Sequence, residues 1–171
     1  MSNTFLNKLA MSLQFDLRGN LRPYELVETN FESLPHDLVL SYGENSTRHS
    51  IFHHFEVFLD ELKTILPDPL ECWVDGSFVT TKENPRDIDL VLFIDYQSFN
   101  QKQDALRQLF DSFSNTQVRL VDPYPVVVYP ENHRNFAFYR SDYLYWFHQF
   151  SQSKPNRAQR HFPKGIIKIT I

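Results

Sequence analysis

The stretch "WVDGSFVTTKENPRDIDLVLF", residues 73–93, decides the fold. A short apolar strand, "LECWVD" at 70–75, runs into Gly76, one of only four glycines in the chain. Eleven residues after that glycine a second apolar run begins, "DIDLVLFID" at 87–95, and it opens with two aspartates around an isoleucine. The segment between the two runs is polar and contains a proline, so we expect a turn, with room for one helical turn, between neighbouring strands.

The two aspartates are expected to project from the same side of their strand. Side chains two residues apart share a face, so the Cα atoms of Asp87 and Asp89 lie roughly 7 Å apart while Ile88 enters the core. Adjacent carboxylates repel each other unless a cation lies between them. Mg²⁺ takes oxygen ligands and is commonly held by one or two carboxylates together with substrate phosphates. The pair therefore indicates a metal site, with a strand-entry cap or a surface ion pair as the alternative.

Gly76 and Ser77 have the character of a phosphate site. A glycine after a strand lets the backbone approach a ligand closely, and the N–H groups that open the following turn point outward and bind anions. The Ser77 hydroxyl adds a donor. The nine-residue spacer lets the chain return as a neighbouring strand. We therefore expect Gly76 and Ser77, which we call the phosphate cradle, to lie beside Asp87 and Asp89.

This pattern resembles the signature of the polymerase-β-type nucleotidyltransferase superfamily: Gly-Ser, a spacer, then Asp-apolar-Asp entering an apolar strand. Within the superfamily it is similar to the minimal nucleotidyltransferases and to an uncharacterised family of short bacterial proteins of that type. Further elements of the resemblance extend over nearly the whole chain, namely "FDLRGNLRP", "STRHSIF", "VDPYPV" and "KGIIKI". The resemblance implies an α/β (α+β) fold like the polymerase-β palm, with a small mixed β-sheet flanked by helices.

The resemblance also implies an activity. It is the transfer of a nucleoside monophosphate from a nucleoside triphosphate, expected to be ATP, to a hydroxyl on a protein or RNA acceptor. Asp87 and Asp89 would be catalytic residues that bind Mg²⁺ or Mn²⁺, and Gly76 and Ser77 would bind the nucleotide. The acceptor implied is a partner protein encoded next door or a transfer RNA, in a toxin–antitoxin or phage-defence system.

Such enzymes carry a third catalytic, metal-binding carboxylate on an adjacent strand, for which Asp122 is the candidate. In many relatives that acid lies earlier in the strand, where this chain has Arg119. Asp122 also precedes a proline, and Asp-Pro is an ordinary turn pair. A chain without the third acid would keep the fold but lose catalysis, so a degenerate, partner-binding module is the alternative function.

Four basic residues are candidates for contact with the nucleotide. Lys82 and Arg86 lie between the two halves of the motif and could reach triphosphate oxygens, or they are solvated loop charges. Lys164 either binds a phosphate or ends a basic tail. Arg48, at the start of a long helix, faces either the site or the solvent.

Charge is distributed unevenly along the chain. All 21 acidic residues precede residue 143, whereas five of the 17 basic residues follow it. A basic end on an acidic body suggests contact with phosphates or with an acidic surface, or a tail that folds back on its own body.

Length and composition predict one domain over residues 1–171, with an extended arm at 1–28 and a basic tail and terminal strand at 152–171. Cys72 is the one cysteine, so a disulfide framework is excluded and a reducing compartment is expected. The N-terminus lacks the pattern of a signal peptide, and no apolar run approaches the ~20 residues that span a bilayer. These features predict a cytoplasmic protein without a membrane segment.

Periodicity predicts the remaining elements. Helical spacing favours a helix that is capped by Asn45 or Ser46 and ends before Pro67, and others over 30–42, 98–113 and 135–151. The aromatic residues of the last helix are expected in the core rather than in a base-stacking platform. Alternation predicts a strand over 164–171. "TQVRLVD" and "PVVVYP" predict two strands, or one interrupted by prolines.

Overall fold

A computed structural model describes residues 12–114 and 119–171, which form a mixed α/β fold. Its elements in chain order are β1 (Gln14–Phe15), β2 (Leu21–Arg22), β3 (Leu26–Glu28), α1 (Leu34–Leu38), α2 (Thr47–Ile65), β4 (Glu71–Asp75), β5 (Ile88–Asp95), α3 (Tyr96–Ser114), β6 (Val121–Val128), α4 (Phe136–Phe150) and β7 (Ile166–Thr170). Within the described residues, five strands form one sheet in the order β3-β7-β4-β5-β6. β4 is antiparallel to both of its neighbours, while β5 and β6, like β3 and β7, are parallel.

One face of the sheet packs against α2 and α3. The apolar stripe of α2, which includes Ile51, Phe55 and Phe58, is fully buried and lies in one cluster with the strand residues Leu90 and Leu92. The helix begins after Ser46, whose hydroxyl accepts a hydrogen bond from the Arg48 N–H at 3.3 Å. The predicted helix and one of its two predicted caps are therefore confirmed.

The opposite face packs against α4 through aromatic side chains. Trp73 is fully buried, and its ring centroid lies 4.7 Å from that of Phe93 and 4.9 Å from that of Tyr143. Only one side of α4 contacts the sheet, since Phe138 and Tyr145 are exposed, so the expectation that this aromatic run lies in the core is only partly met. No helix in the described ranges combines the length and apolarity needed to cross a membrane.

The segment for which the sequence predicts two strands, or one strand interrupted by prolines, is the single strand β6, which contains Pro123 and Pro125. β6 lies at the edge of the sheet and pairs in parallel with β5. An edge strand has one side without a ladder partner, so it tolerates residues that lack an N–H. Residues 115–118, where part of this strand was predicted, lie outside the described residues.

The predicted N-terminal arm is built into the domain from residue 12 onwards, while residues 1–11 lie outside the described part. β1 and β2 form an antiparallel ribbon, and β3 joins the main sheet beside β7. The helix predicted over 30–42 is shorter, with a 3-10 turn followed by α1. At its end the Leu38 carbonyl accepts a hydrogen bond from the Arg48 side chain at 2.9 Å.

Truncation of the α2 stripe tests the packing of the first face. Phe55→Ala should lower the free energy of unfolding by about 3–5 kcal/mol, because it removes a buried ring that the surrounding residues can replace only in part. Val57→Ala, on the exposed side of the same helix, should change it by less than about 0.5 kcal/mol. Urea denaturation followed by circular dichroism measures both, and equal effects would contradict the described orientation of α2.

Candidate active site

Three carboxylates form a row across neighbouring strands at one end of the sheet. Asp75 ends β4, and Asp89 and Asp122 lie near the starts of β5 and β6. The strand register pairs the Cα atom of Asp89 with those of both Asp75 and Asp122. Because alternate strand residues share a face, the row lies on the side of Trp73 and α4. Sequence reasoning missed Asp75, although its position at a strand end directly before a glycine was a usable signal.

Asp75 and Lys164 form a buried ion pair at one end of this row. They are 3% and 5% exposed. The Lys164 Nζ lies 2.8 Å from Oδ1 of Asp75, and it donates hydrogen bonds to Oδ2 at 2.9 Å and to the Gly76 carbonyl at 3.2 Å. Burial raises the pKa of Asp75 to about 7, and the ammonium of Lys164 works against that rise. Lys164, a predicted nucleotide-binding residue, thus already has a carboxylate partner, and its contact with a nucleotide stays a prediction.

Asp122, the predicted third carboxylate, lies on the strand next to Asp89. It is 8% exposed, forms an ion pair with the guanidinium of Arg119 and accepts a hydrogen bond from the Tyr124 hydroxyl at 2.6 Å. Burial and this hydrogen bond raise the pKa of Tyr124. Both carboxylate oxygens have a partner, so a metal bound by Asp122 would have to share or replace the contact with Arg119.

Asp87 and Asp89 are the carboxylates of this region without a partner. Neither forms a hydrogen bond or an ion pair through its side chain in the described part of the chain. Burial, followed by the charges of Asp87 and Asp122, raises the pKa of Asp89 to about 6, while Lys154 and Lys164 lower it. A pKa raised by burial and like charge marks a carboxylate that an added cation would stabilise.

The donor set fits a hard divalent cation such as Mg²⁺ or Mn²⁺, because every candidate donor is a carboxylate oxygen. Over the two described ranges, no three His, Cys, Asp or Glu side chains form a group that could hold a metal ion. Mg²⁺ does not need such a group, since one or two carboxylates, waters and substrate phosphates commonly suffice. Asp87 and Asp89 are therefore the residues that would hold the cation.

Gly76 brings the chain backbone directly against Asp89. Its φ is +84°, and a Cβ atom at this position would overlap the Oδ2 atom of Asp89. Glycine is thus required both for the backbone conformation and for the close approach. Ser77 then opens a 3-10 turn, which Thr80 closes with a hydrogen bond from its hydroxyl to the Ser77 carbonyl at 2.7 Å. The predicted cradle therefore lies beside Asp89, one of the predicted metal carboxylates.

The loop that leaves the cradle is held by Arg48, whose side chain is fully buried. Its guanidinium donates five hydrogen bonds of 2.5–3.0 Å to the backbone carbonyls of Leu38, Phe78, Thr80 and Lys82. Both sequence-based alternatives for Arg48, contact with the site and exposure to solvent, are wrong. Its partners in the loop lie 30–34 residues away in the chain, which local sequence does not reveal.

Lys82 and Arg86, the other predicted nucleotide-binding residues, are exposed. Neither is among the residues that line the cleft at Asp75 and Asp89, and Asp87 and Asp122 are not among them either. The structure therefore does not bring Lys82 and Arg86 together with Ser77 and Asp89, and their contact with a nucleotide stays a prediction.

That cleft has a volume of about 810 Å³. Its floor is formed by the cradle, Asp75 and Asp89, and its far wall by α4 and the segment that follows it. The wall contributes aromatic and basic side chains to the cleft, notably Tyr145, Trp146, Lys154 and His161. A volume of this size accommodates a small molecule such as a nucleotide.

The sequence pattern of one protein family, described as a family of unknown function (DUF6932), matches residues 13–170. No curated protein and no solved structure matches the chain. The family match spans the carboxylate row, the cradle and the far wall of the cleft.

Substitution of Gly76 tests the close approach to Asp89. Gly76→Ala should lower the free energy of unfolding by about 1–3 kcal/mol, because the new Cβ meets a strained φ as well as the carboxylate. Gly43→Ala is the matched control, since a Cβ there meets no atom within 4 Å, and it should be neutral or stabilising by up to about 1 kcal/mol. Thermal and urea denaturation of both variants provide the measurement. A Gly76→Ala protein as stable as the wild type would contradict the close approach of Gly76 to Asp89.

Proposed function

The chain belongs to the family of unknown function DUF6932, and on the geometry of its cleft we propose that it is a metal-dependent nucleotidyltransferase. It would transfer a nucleoside monophosphate from a nucleoside triphosphate, ATP in the first instance, to a hydroxyl on a protein or RNA acceptor. The observation that carries the proposal is the contact between the Gly76 backbone and the Asp89 carboxylate. A phosphate bound at the cradle would lie within reach of a cation held by Asp87 and Asp89.

The residues divide the work as follows. The backbone N–H groups at the start of the 3-10 turn and the Ser77 hydroxyl bind triphosphate oxygens. Asp87 and Asp89 hold Mg²⁺ or Mn²⁺, which neutralises phosphate charge when bound. The acceptor oxygen forms a bond to the α-phosphorus as the bond to the bridging oxygen breaks, and pyrophosphate leaves with the electron pair. Asp122, once released from Arg119, receives the hydroxyl proton.

A second candidate function is a binding module that has the nucleotidyltransferase fold without the catalysis. The engagement of Asp122 by both Arg119 and Tyr124 favours it, because the guanidinium of Arg119 takes the place that a cation beside Asp122 would need. Such a protein would act on a partner in the manner of an antitoxin. A cytoplasmic location and a role in a toxin–antitoxin or phage-defence system belong to the same proposal and rest on the resemblance alone.

Label transfer tests the proposed activity. The protein is incubated with Mg²⁺ and each α-³²P-labelled nucleoside triphosphate, with cellular RNA or cell extract as acceptor. Asp89→Asn should reduce transfer by about 100-fold or more, because it removes the charge that holds the cation. The control is Asp95→Asn at the other end of the same strand. Asp95 accepts hydrogen bonds from the N–H groups of Gln97 and Ser98, a capping role that asparagine retains.

Transfer that EDTA abolishes and Asp95→Asn leaves unchanged supports the enzyme. Nucleotide binding without transfer, unaffected by Asp89→Asn, supports the binding module and overturns the enzymatic proposal. A complete absence of labelled product with all four nucleotides and both acceptor pools also overturns the enzymatic proposal.

A further inference from the structure

The segment between α4 and β7 forms a hairpin, which we call the basic hairpin (residues 151–164). Backbone hydrogen bonds of 2.8–3.0 Å join its two arms at three levels, pairing Lys164 with Ser151, Ser153 with Phe162 and Asn156 with Arg160. An additional bond joins the His161 ring to the Ser153 carbonyl at 2.9 Å. The predicted basic tail is therefore a backbone-paired hairpin that forms part of the cleft wall.

The basic hairpin contains no acidic residue. Lys154, Arg157 and Arg160 are exposed, and none of the three forms an ion pair with another described residue. Lys154 lines the cleft, whereas the two arginines lie outside it on the turn of the hairpin. Arg18 adds to this surface by placing its guanidinium 4.4 Å from the ring centroid of Phe162.

The basic side chains thus extend from Lys154 inside the cleft to Arg157 and Arg160 outside it. A mononucleotide bound at the cradle would leave Arg157 and Arg160 without a phosphate partner. A chain of phosphates that enters the cleft across the hairpin would supply one to each. The surface fits an extended polyanion better than a small one.

The same wall presents an aromatic face to the cleft. Tyr145 lines the cleft with 56% of its surface exposed, and its ring lies edge-on to Trp146 with centroids 5.2 Å apart. The ring centroids of Trp146 and Tyr124 in turn lie 4.3 Å apart. Exposed aromatic rings next to basic side chains are the combination that binds single-stranded nucleic acids, because the bases stack on the rings while cations contact the backbone.

We propose that the basic hairpin and Tyr145 bind the free end of a single-stranded nucleic acid, which is the hydroxyl acceptor of the transfer. This inference rests on the proposed function and selects the RNA-type acceptor over a protein. An acidic polypeptide would satisfy the arginines, but it has no bases to stack on Tyr145.

Fluorescence anisotropy of a short, labelled single-stranded RNA with a free 3′ hydroxyl tests the basic hairpin. Arg157→Glu/Arg160→Glu should weaken binding at least ~10-fold and reduce the slope of log K against log salt by about 1.4, since two phosphate contacts are lost. Lys63→Glu/Arg107→Glu changes the charge equally at exposed positions of α2 and α3, and it should leave the affinity within about 2-fold, because these helices cover the other face of the sheet. Equal weakening by the two double variants overturns the proposal.

A second RNA, with 2-aminopurine at its 3′ end, tests the stacking on Tyr145. Tyr145→Ala should reduce both affinity and fluorescence quenching about 10-fold, and Tyr145→Phe should retain both, because stacking needs the ring and not the hydroxyl. Identical behaviour of Ala and Phe contradicts the stacking role. Polyglutamate that competes as well as RNA would assign the surface to a protein and overturn the proposal.

The two proposals fail in different ways. RNA binding that depends on the basic hairpin, without transfer from any nucleotide, supports the nucleic-acid surface and overturns the enzyme. Asp89-dependent transfer to protein, with no RNA binding at low salt, supports the enzyme and overturns this inference. Circular dichroism and Mg²⁺-ATP affinity, both expected to match wild type in the Arg157→Glu/Arg160→Glu protein, separate a lost surface from a lost fold.

Discussion

The close approach of Gly76 to Asp89 is the constraint on which the candidate site depends. The antiparallel register of β4 and β5 places Asp75 opposite Asp89, so the residue after Asp75 must leave the sheet beside a carboxylate. A side chain at this position would occupy the space of that carboxylate. Because residue 76 is glycine, the backbone N–H groups that open the turn can lie next to the Asp89 carboxylate, which has no ion-pair partner among the described residues. The chemistry proposed for the protein follows from that adjacency.

Two buried cations hold this region from opposite sides. Lys164 ties the start of β7 to Asp75 and Gly76, and Arg48 ties α2 to the loop beyond the cradle. Burying a charge costs several kcal/mol unless hydrogen bonds compensate for lost water. Arg48 obtains these hydrogen bonds from backbone carbonyls that have no partner in a strand ladder. The guanidinium thus replaces the hydrogen bonds it lost to water, and the carbonyls of the irregular loop gain a donor. A loop held in this way is organised before any ligand binds, as electrostatic catalysis requires.

The sequence was sufficient wherever local pattern sets the structure. Periodicity located β4, β5 and the three long helices, and the Gly-Ser and Asp-Ile-Asp spacing located the two halves of the site. It failed where partners are distant in the chain. Arg48 looked like a surface residue because its carbonyl partners lie on another element, and Asp75 was overlooked because its importance comes from Lys164, 89 residues later. The basic hairpin read as a tail, since backbone pairing between its arms leaves no hydrophobic pattern.

Two of the four acidic residues of the site, Asp75 and Asp122, form ion pairs, whereas Asp87 and Asp89 form none among the described residues. The Asp75–Lys164 pair is almost completely buried, with side chains 4% and 6% exposed, and breaking such a pair costs about 3–5 kcal/mol. The Arg119–Asp122 pair is screened more by solvent, since 47% of the Arg119 side chain is exposed, although that of Asp122 is only 11% exposed. Arg119 would therefore leave Asp122 more easily than Lys164 would leave Asp75. The difference between the two pairs makes Asp122, and not Asp75, the carboxylate that is available to the proposed activity.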